Sequence, residues 1–156
     1  MVTSQLHTTL HSFITRYGHI KQSKAKMLLK ELLNGICYLH EKGIMHRDIK
    51  LENIMITKEE LNEGKIKPVL VDFGLAEYIN QPQYLFKKCG TPGYTAPEIL
   101  ALNPEEDFQE QKYNEKCDLF SLGIVAYTLY YFFYLRLCKK FPFSEATVPQ
   151  VIEKNL

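Results

Sequence analysis

His46-Arg47-Asp48-Ile49-Lys50-Leu51-Glu52-Asn53 opens a run of short motifs that continues with Asp72-Phe73-Gly74 and ends with Ala96-Pro97-Glu98. Taken singly, each has an ordinary structural reading. Asp48 is a turn residue, Asn53 a cap, and Asp72-Phe73-Gly74 a tight turn after a strand, because short polar side chains and glycine serve the backbone where it reverses. The joint pattern asks for more. Independent turns have no reason to place Lys50 two residues and Asn53 five residues beyond Asp48.

Upstream, across residues 23–41, Leu28, Leu29, Leu32, Leu33, Ile36 and Leu39 recur at the three-to-four residue interval of an amphipathic helix, and Gly43 stops it. Downstream, Ile54-Met55-Ile56 and Val69-Leu70-Val71 are β-prone runs separated by a charged stretch carrying Asn62 and Gly64, which predicts a long hairpin. Residues 75–101 are rich in Gly, Pro, Thr and Tyr and predict a loop with little regular structure. Residues 107–115 are polar and expected to be exposed. Residues 119–137 are the most apolar part of the chain. A membrane helix needs about twenty apolar residues, and this run nearly has the length. Ser121, Gly123, Thr128 and several tyrosines make it weakly apolar for lipid, so a helix buried in a large core is the preferred reading.

The bulk properties set limits. A chain of 156 residues, 46% hydrophobic and 24% charged, is ordinary globular composition with one domain as the default. A net charge of +1 gives no electrostatic case for nucleic acid or an acidic membrane surface. Cys37, Cys89, Cys117 and Cys138 lack any Cys-x-x-Cys spacing, and the N-terminus lacks the pattern of a secretory signal. Reduced thiols in an intracellular, cytoplasmic protein follow as the expectation. His7 and His11 lie one helical turn apart but are read as surface residues, not a metal site.

The three motifs, in this order and at this spacing, resemble the protein-kinase signature. The similarity runs from about Phe13 almost to the C-terminus. Phosphoryl transfer leaves the protein little covalent work, so its task is to position a hydroxyl and neutralise phosphate charge. The resemblance implies Asp48 as the base that orients the substrate hydroxyl and accepts its proton, and Lys50 as the positive charge on the transferring phosphate. It implies Asn53 and Asp72 as ligands of magnesium and Met55 as part of the adenine floor, with ATP and Mg2+ as cofactors. Lys50 and the segment Gly90-Thr91-Pro92-Gly93-Tyr94 resemble the serine/threonine type, in which Thr91 packs beside Asp48 and Lys50 and shapes the site for an aliphatic hydroxyl. Residues 89–100 are similar to the calcium/calmodulin-dependent kinase-like group.

Other residues carry expectations from the same resemblance. The partner is a protein substrate with a Ser/Thr acceptor, and Glu52 hints at basic residues near the phosphorylated position. Arg47 would meet a phosphate on the activation loop, yet between Gly74 and Gly90 there is no serine or threonine, only Tyr78 and Tyr84. Control by Ser/Thr phosphorylation of that loop is therefore not expected. Asp118, Ser121 and Gly123 resemble the start of the central helix of the large lobe, whose aspartate holds catalytic-loop backbone.

The implied fold class is mainly α: the kinase large (C-terminal) lobe with a small β-hairpin at the catalytic loop and the small lobe absent. Residues 1–156 are read as a partial kinase domain, with 1–12 a remnant of the lobe connection and the last helices truncated. No Gly-x-Gly-x-x-Gly precedes the helix, no ribose-binding carboxylate stands near Thr9, and the arginine that in the family pairs with the equivalent of Glu98 has no candidate. Residues 130–140 form a longer aromatic stretch before Phe141-Pro142-Phe143 than the family makes, an insertion or a gene-model error. Weak or absent activity of the chain alone is expected. The rival reading is a noncatalytic, kinase-derived interaction module, which the missing lobe favours and the intact Asp48, Asn53 and Asp72 disfavour.

Overall fold

A computed structural model describes residues 8–18, 20–56, 67–80, 87–103 and 113–135 of the chain. The hairpin loop, His7, Tyr84, residues 107–112 and the Phe141-Pro142-Phe143 region lie outside the described residues.

The chain enters as strand β1, Thr8–Thr9, and turns at once into helix α1, Leu10–Tyr17. Thr9 caps that helix, its hydroxyl accepting the Ser12 N–H at 3.1 Å. Gly18, in the left-handed region at φ 84°, closes it by donating to the Ile14 carbonyl. Helix α2, Gln22–Glu41, buries Ala25, Leu28, Leu32 and Ile36, one residue per turn. The buried stripe is narrower than the periodicity suggests: Leu33 is exposed, and Leu29 and Leu39 are only half-buried. Gly43 at φ 73° ends the helix reversal and leads into β2, Ile44–Met45.

A single 3-10 turn, Leu51–Asn53, precedes β3, Ile54–Ile56, and β4 is Val69–Leu70. They pair antiparallel, Ile54 with Leu70 and Met55 with Val69, as the hairpin reading requires. Beyond the hairpin, β1 adds to the other side of β3, Thr9 opposite Met55, giving the order β1-β3-β4. Ile54 and Ile56 point into the core, and strand alternation turns Met55 to the opposite face.

Residues 75–101 are more regular than expected. They contain β5, Glu77–Tyr78, which pairs with β2, and a short helix α3, Pro97–Leu100. The final described element is α4, Lys116–Leu135. It packs Leu122, Ile124, Val125 and Leu129 against the α2 stripe in one core that also takes in Leu10, Ile14, Ile49 and Leu51. Ser121 and Thr128, the polar residues within it, are satisfied by donating to the Tyr94 and Ile124 carbonyls. The expectation of burial all round is corrected in part: Leu119, Tyr127 and Tyr130 are exposed, so α4 turns one side outward. Among the described residues no helix is long and apolar enough to cross a membrane.

A second core joins Met45, Ala96, Ile99, Tyr113 and Cys117. Here the sequence expectation for residues 107–115 fails at Tyr113, which is buried, because the hydrophobic ring enters this cluster from the edge of a polar stretch. Met45 belongs to the second core and Ile49 to the first. The polar run between them is thus strung across two apolar anchors, one at each of its ends.

Candidate active site

The loop begins with a buried carboxylate. Asp118, in the first turn of α4 and 1% exposed, accepts the backbone N–H of His46 on one oxygen and that of Arg47 on the other, both at 2.8 Å. His40, at the end of α2, donates from Nε2 to the same carboxylate at 2.9 Å. Arg47 itself sits in the left-handed region at φ 66°. Such a conformation costs a side-chain-bearing residue about 1–3 kcal/mol and persists only when its surroundings fix it; two N–H bonds to one buried anion are that fixing. His46 Nε2 faces the Val71 carbonyl at 3.2 Å and must donate, which leaves Nδ1 to accept the Asp48 N–H at 3.3 Å. Its ring also packs on Phe73, 4.8 Å between centroids.

Beyond this support four of the predicted residues converge. Asp48, 8% exposed, accepts the Thr91 hydroxyl on Oδ1 at 2.6 Å and the Lys50 ammonium on Oδ2 at 2.7 Å. Asn53, 6% exposed, donates from Nδ2 to the same Oδ2 at 3.0 Å and to the Asp48 carbonyl at 2.9 Å. Lys50 Nζ closes the ring by donating to the Thr91 hydroxyl at 2.8 Å. Residues from the loop, the 3-10 turn and a segment some forty positions away thus share one hydrogen-bond network, buried at Asp48 and Asn53 and half-buried at Lys50 and Thr91. Each fixes the rotamer of the next, the arrangement that preorganises a reacting centre.

Asp72 and Met55 are held differently. The Val71 N–H donates to the Asn53 carbonyl at 3.0 Å, which brings the chain up to the cluster one residue before Asp72. Asp72 then takes φ 63° and is exposed, its Oδ1 accepting only its own turn's Gly74 N–H at 3.3 Å among the contacts described. Met55 lies on the open face of the small sheet with Val69 and Thr9 as its pairing neighbours. Among the described residues no group of three His, Cys, Asp or Glu side chains could hold a metal ion. A magnesium ion does not ask for one: it binds through one or two protein oxygens and fills its shell with phosphate and water. Asn53, whose amide nitrogen is committed to Asp48 and whose oxygen is left for other partners, and the exposed Asp72 carboxylate fit that donor chemistry.

Arg47 is tied to two neighbouring segments. Its guanidinium donates to the Leu75 carbonyl and to the Tyr113 hydroxyl, each at 2.6 Å. Cys89 Sγ lies 3.9 Å from that hydroxyl. Burial pushes both the Cys89 thiol and the Tyr113 phenol up from their ordinary values, outweighing the nearby Arg47 charge. Glu52 is half-exposed, with His11 Nε2 3.8 Å from its carboxylate; Glu98 is exposed.

Two residues of this site escaped the sequence reading. His40 lies at the foot of an amphipathic helix, where a polar residue is unremarkable, and its partner is 78 positions away. Tyr113 stands in a polar stretch without any spacing that marks it.

The comparisons with known proteins agree with the motifs. The protein kinase domain family matches residues 1–156. The chain is 35% identical to the DNA damage response protein kinase DUN1 of Saccharomyces cerevisiae over 92% of its length and 28% of that protein. It is 33% identical to serine/threonine-protein kinase 33 of Bos taurus over 92% of this chain and 28% of that one. It is 39% identical to the probable serine/threonine-protein kinase fhkB of Dictyostelium discoideum over 89% of this chain and 11% of that one. It therefore spans 28% or less of the length of these curated relatives. The chain belongs to the protein kinase family, and within it to the serine/threonine type, calcium/calmodulin-dependent kinase-like.

Proposed function

We propose that the chain carries the catalytic machinery for ATP- and magnesium-dependent phosphoryl transfer to a serine or threonine hydroxyl of a protein, and that residues 1–156 correspond to the large lobe of the kinase domain. Asp48 orients the acceptor hydroxyl and takes its proton. Lys50, already paired with Asp48, offsets charge on the transferring phosphate. Asn53 and Asp72 hold the cation, and Met55 forms part of the surface under the adenine. Magnesium, when bound, neutralises phosphate charge and orients the phosphate oxygens. Thr91, hydrogen-bonded to both Asp48 and Lys50, shapes the site for an aliphatic hydroxyl. Glu52, half-exposed at the rim, favours a substrate with basic residues near the acceptor.

The observation that carries this reading is the shared network of Asp48, Lys50, Asn53 and Thr91. The test is phosphate transfer by the purified chain to a basic serine peptide, with Asp48→Asn as control. Transfer should fall by roughly 100-fold or more in the variant, while magnesium-dependent nucleotide binding, read as a thermal shift, persists. Transfer by the chain alone should be weak; measurable transfer that is equal in both proteins would sink the assignment. A noncatalytic docking module would show no such thermal shift.

A further inference from the structure

The tie between Arg47 and Tyr113 does what a phosphate would otherwise be needed for. The Arg47 guanidinium, 5% exposed, donates from Nε to the Leu75 carbonyl and from Nη1 to the Tyr113 hydroxyl. That hydroxyl donates in turn to the Lys87 carbonyl at 3.1 Å. The ring is packed with Met45, Ala96, Ile99 and Cys117. One phenol thereby joins the catalytic loop, the segment that leads to Thr91 and the approach to α4. Being both acceptor and donor, it satisfies a buried cation and a backbone carbonyl at once; a phosphate could only accept.

The stretch this bond secures is short and close to the reacting centre. Gly90, at φ 112°, runs so near the loop that a Cβ there would come within 2.8 Å of the Thr95 hydroxyl and 3.3 Å of the Arg47 carbonyl. The next residue, Thr91, is the one that donates to Asp48. Residues 87–91 are thus tied to Arg47 through Tyr113 at one end and to Asp48 at the other. Nothing in the sequence between Gly74 and Gly90 offers a serine or threonine for a phosphate to take this place.

We propose that Tyr113 is a positioning residue, a phosphate-independent latch that holds residues 87–91 on Arg47 and so keeps Thr91 against Asp48. A tyrosine hydroxyl keeps its proton at neutral pH, and burial here pushes its titration further up, so the donor to Lys87 is present throughout that range. The latch stands on geometry alone; its catalytic consequence rests on the phosphoryl-transfer reading above.

Two measurements separate these. In the phosphatase-treated purified chain, the backbone of residues 87–91 should be ordered, with amide order parameters near the roughly 0.85 of rigid structure. Tyr113→Phe should lower those order parameters toward about 0.6 while those of α2 hold. Arg47→Lys, which keeps the charge but loses the fork that reaches two acceptors, should loosen the same residues and serves as the second variant. Where transfer is measurable, Tyr113→Phe should lower kcat and leave KM for ATP unchanged. Unchanged order parameters at residues 87–91 in both variants overturn the latch, as do low values in the phosphatase-treated wild-type chain that rise when phosphate is present. Loosening without any magnesium-dependent nucleotide binding by the wild-type chain leaves the latch in place and removes the transfer reading.

Discussion

Asn53 and Asp72, the two residues proposed to share a cation, are held in opposite ways. Asn53 is buried and donates twice to Asp48, so its orientation is set by the same network that fixes the loop. Asp72 is exposed, carries left-handed strain at φ 63°, and has a 3.3 Å contact within its own turn. One side of the site is therefore completed by folding, and its hydrogen bonds belong to the stability of the chain. The other stores a strained conformation of order 1–3 kcal/mol that bound cation and phosphate can exploit. Substitutions on the two sides should accordingly separate stability from ligand binding.

The largest effect is expected at the base of the folded side. Asp118→Ala strips the acceptor from two buried N–H groups and from His40, and removing one partner of such a buried pair costs about 3–5 kcal/mol. Denaturant unfolding would read it as a lower midpoint with an unchanged slope. A loss below about 1 kcal/mol would show that the loop is held from elsewhere, since that is no more than one ordinary hydrogen bond. Thr91→Val comes next. It keeps the shape but removes a donor to Asp48 and an acceptor for Lys50, for an expected loss of about 1–3 kcal/mol.

Asp72→Asn should lie at the other extreme. The position is exposed, and Asn tolerates the left-handed region at least as well as Asp, so stability should stay within about 0.5 kcal/mol. The magnesium-dependent thermal shift with nucleotide should nevertheless disappear. A substantial loss of stability in the absence of ligand would mean that Asp72 is part of the folded network after all, and the comparison with Asn53 would fail.

Much of this was legible before any coordinates, and for physical reasons. Helix α2 announces itself because Leu28, Leu32 and Ile36 must face one core, and the hairpin because Ile54-Met55-Ile56 and Val69-Leu70 are β-prone runs separated by a turn. The cluster of Asp48, Lys50, Asn53 and Thr91 is expected from the resemblance of the motifs to the protein-kinase signature, not from local pattern. The rest depends on contacts that local sequence does not encode. Strands β1, β2 and β5 are two residues long, too short for any alternation to show, and exist because tertiary packing lays them beside a partner. Tyr113 reads as the edge of a polar stretch until the second core receives its ring. The side of α4 that faces outward is hidden by a composition apolar on every face, since periodicity cannot locate a buried stripe when no polar one contrasts with it.

The smallest expected effect concerns alkaline pH and again divides the two sides. Burial raises the Cys117 thiol, with the Asp118 charge adding to it, and burial likewise raises the Tyr94 phenol. At pH values below the ordinary 9.0 of the thiol and 10.0 of the phenol, folded and unfolded chains both keep these protons, and the stability associated with them is fully present. As the pH climbs past those values the unfolded chain releases protons that the folded chain retains, so stability falls as pH rises. The melting temperature should therefore drop on going from about pH 9 to pH 11, and Cys117→Ala and Tyr94→Phe should each make the fall shallower. Cys117 adjoins Asp118, so the amides of His46 and Arg47, bound to that carboxylate, should lose protection in the same pH interval. If alkaline pH instead loosens the Asp72 turn while those two amides stay protected, the division between a side held by folding and a side left to the ligand is drawn in the wrong place.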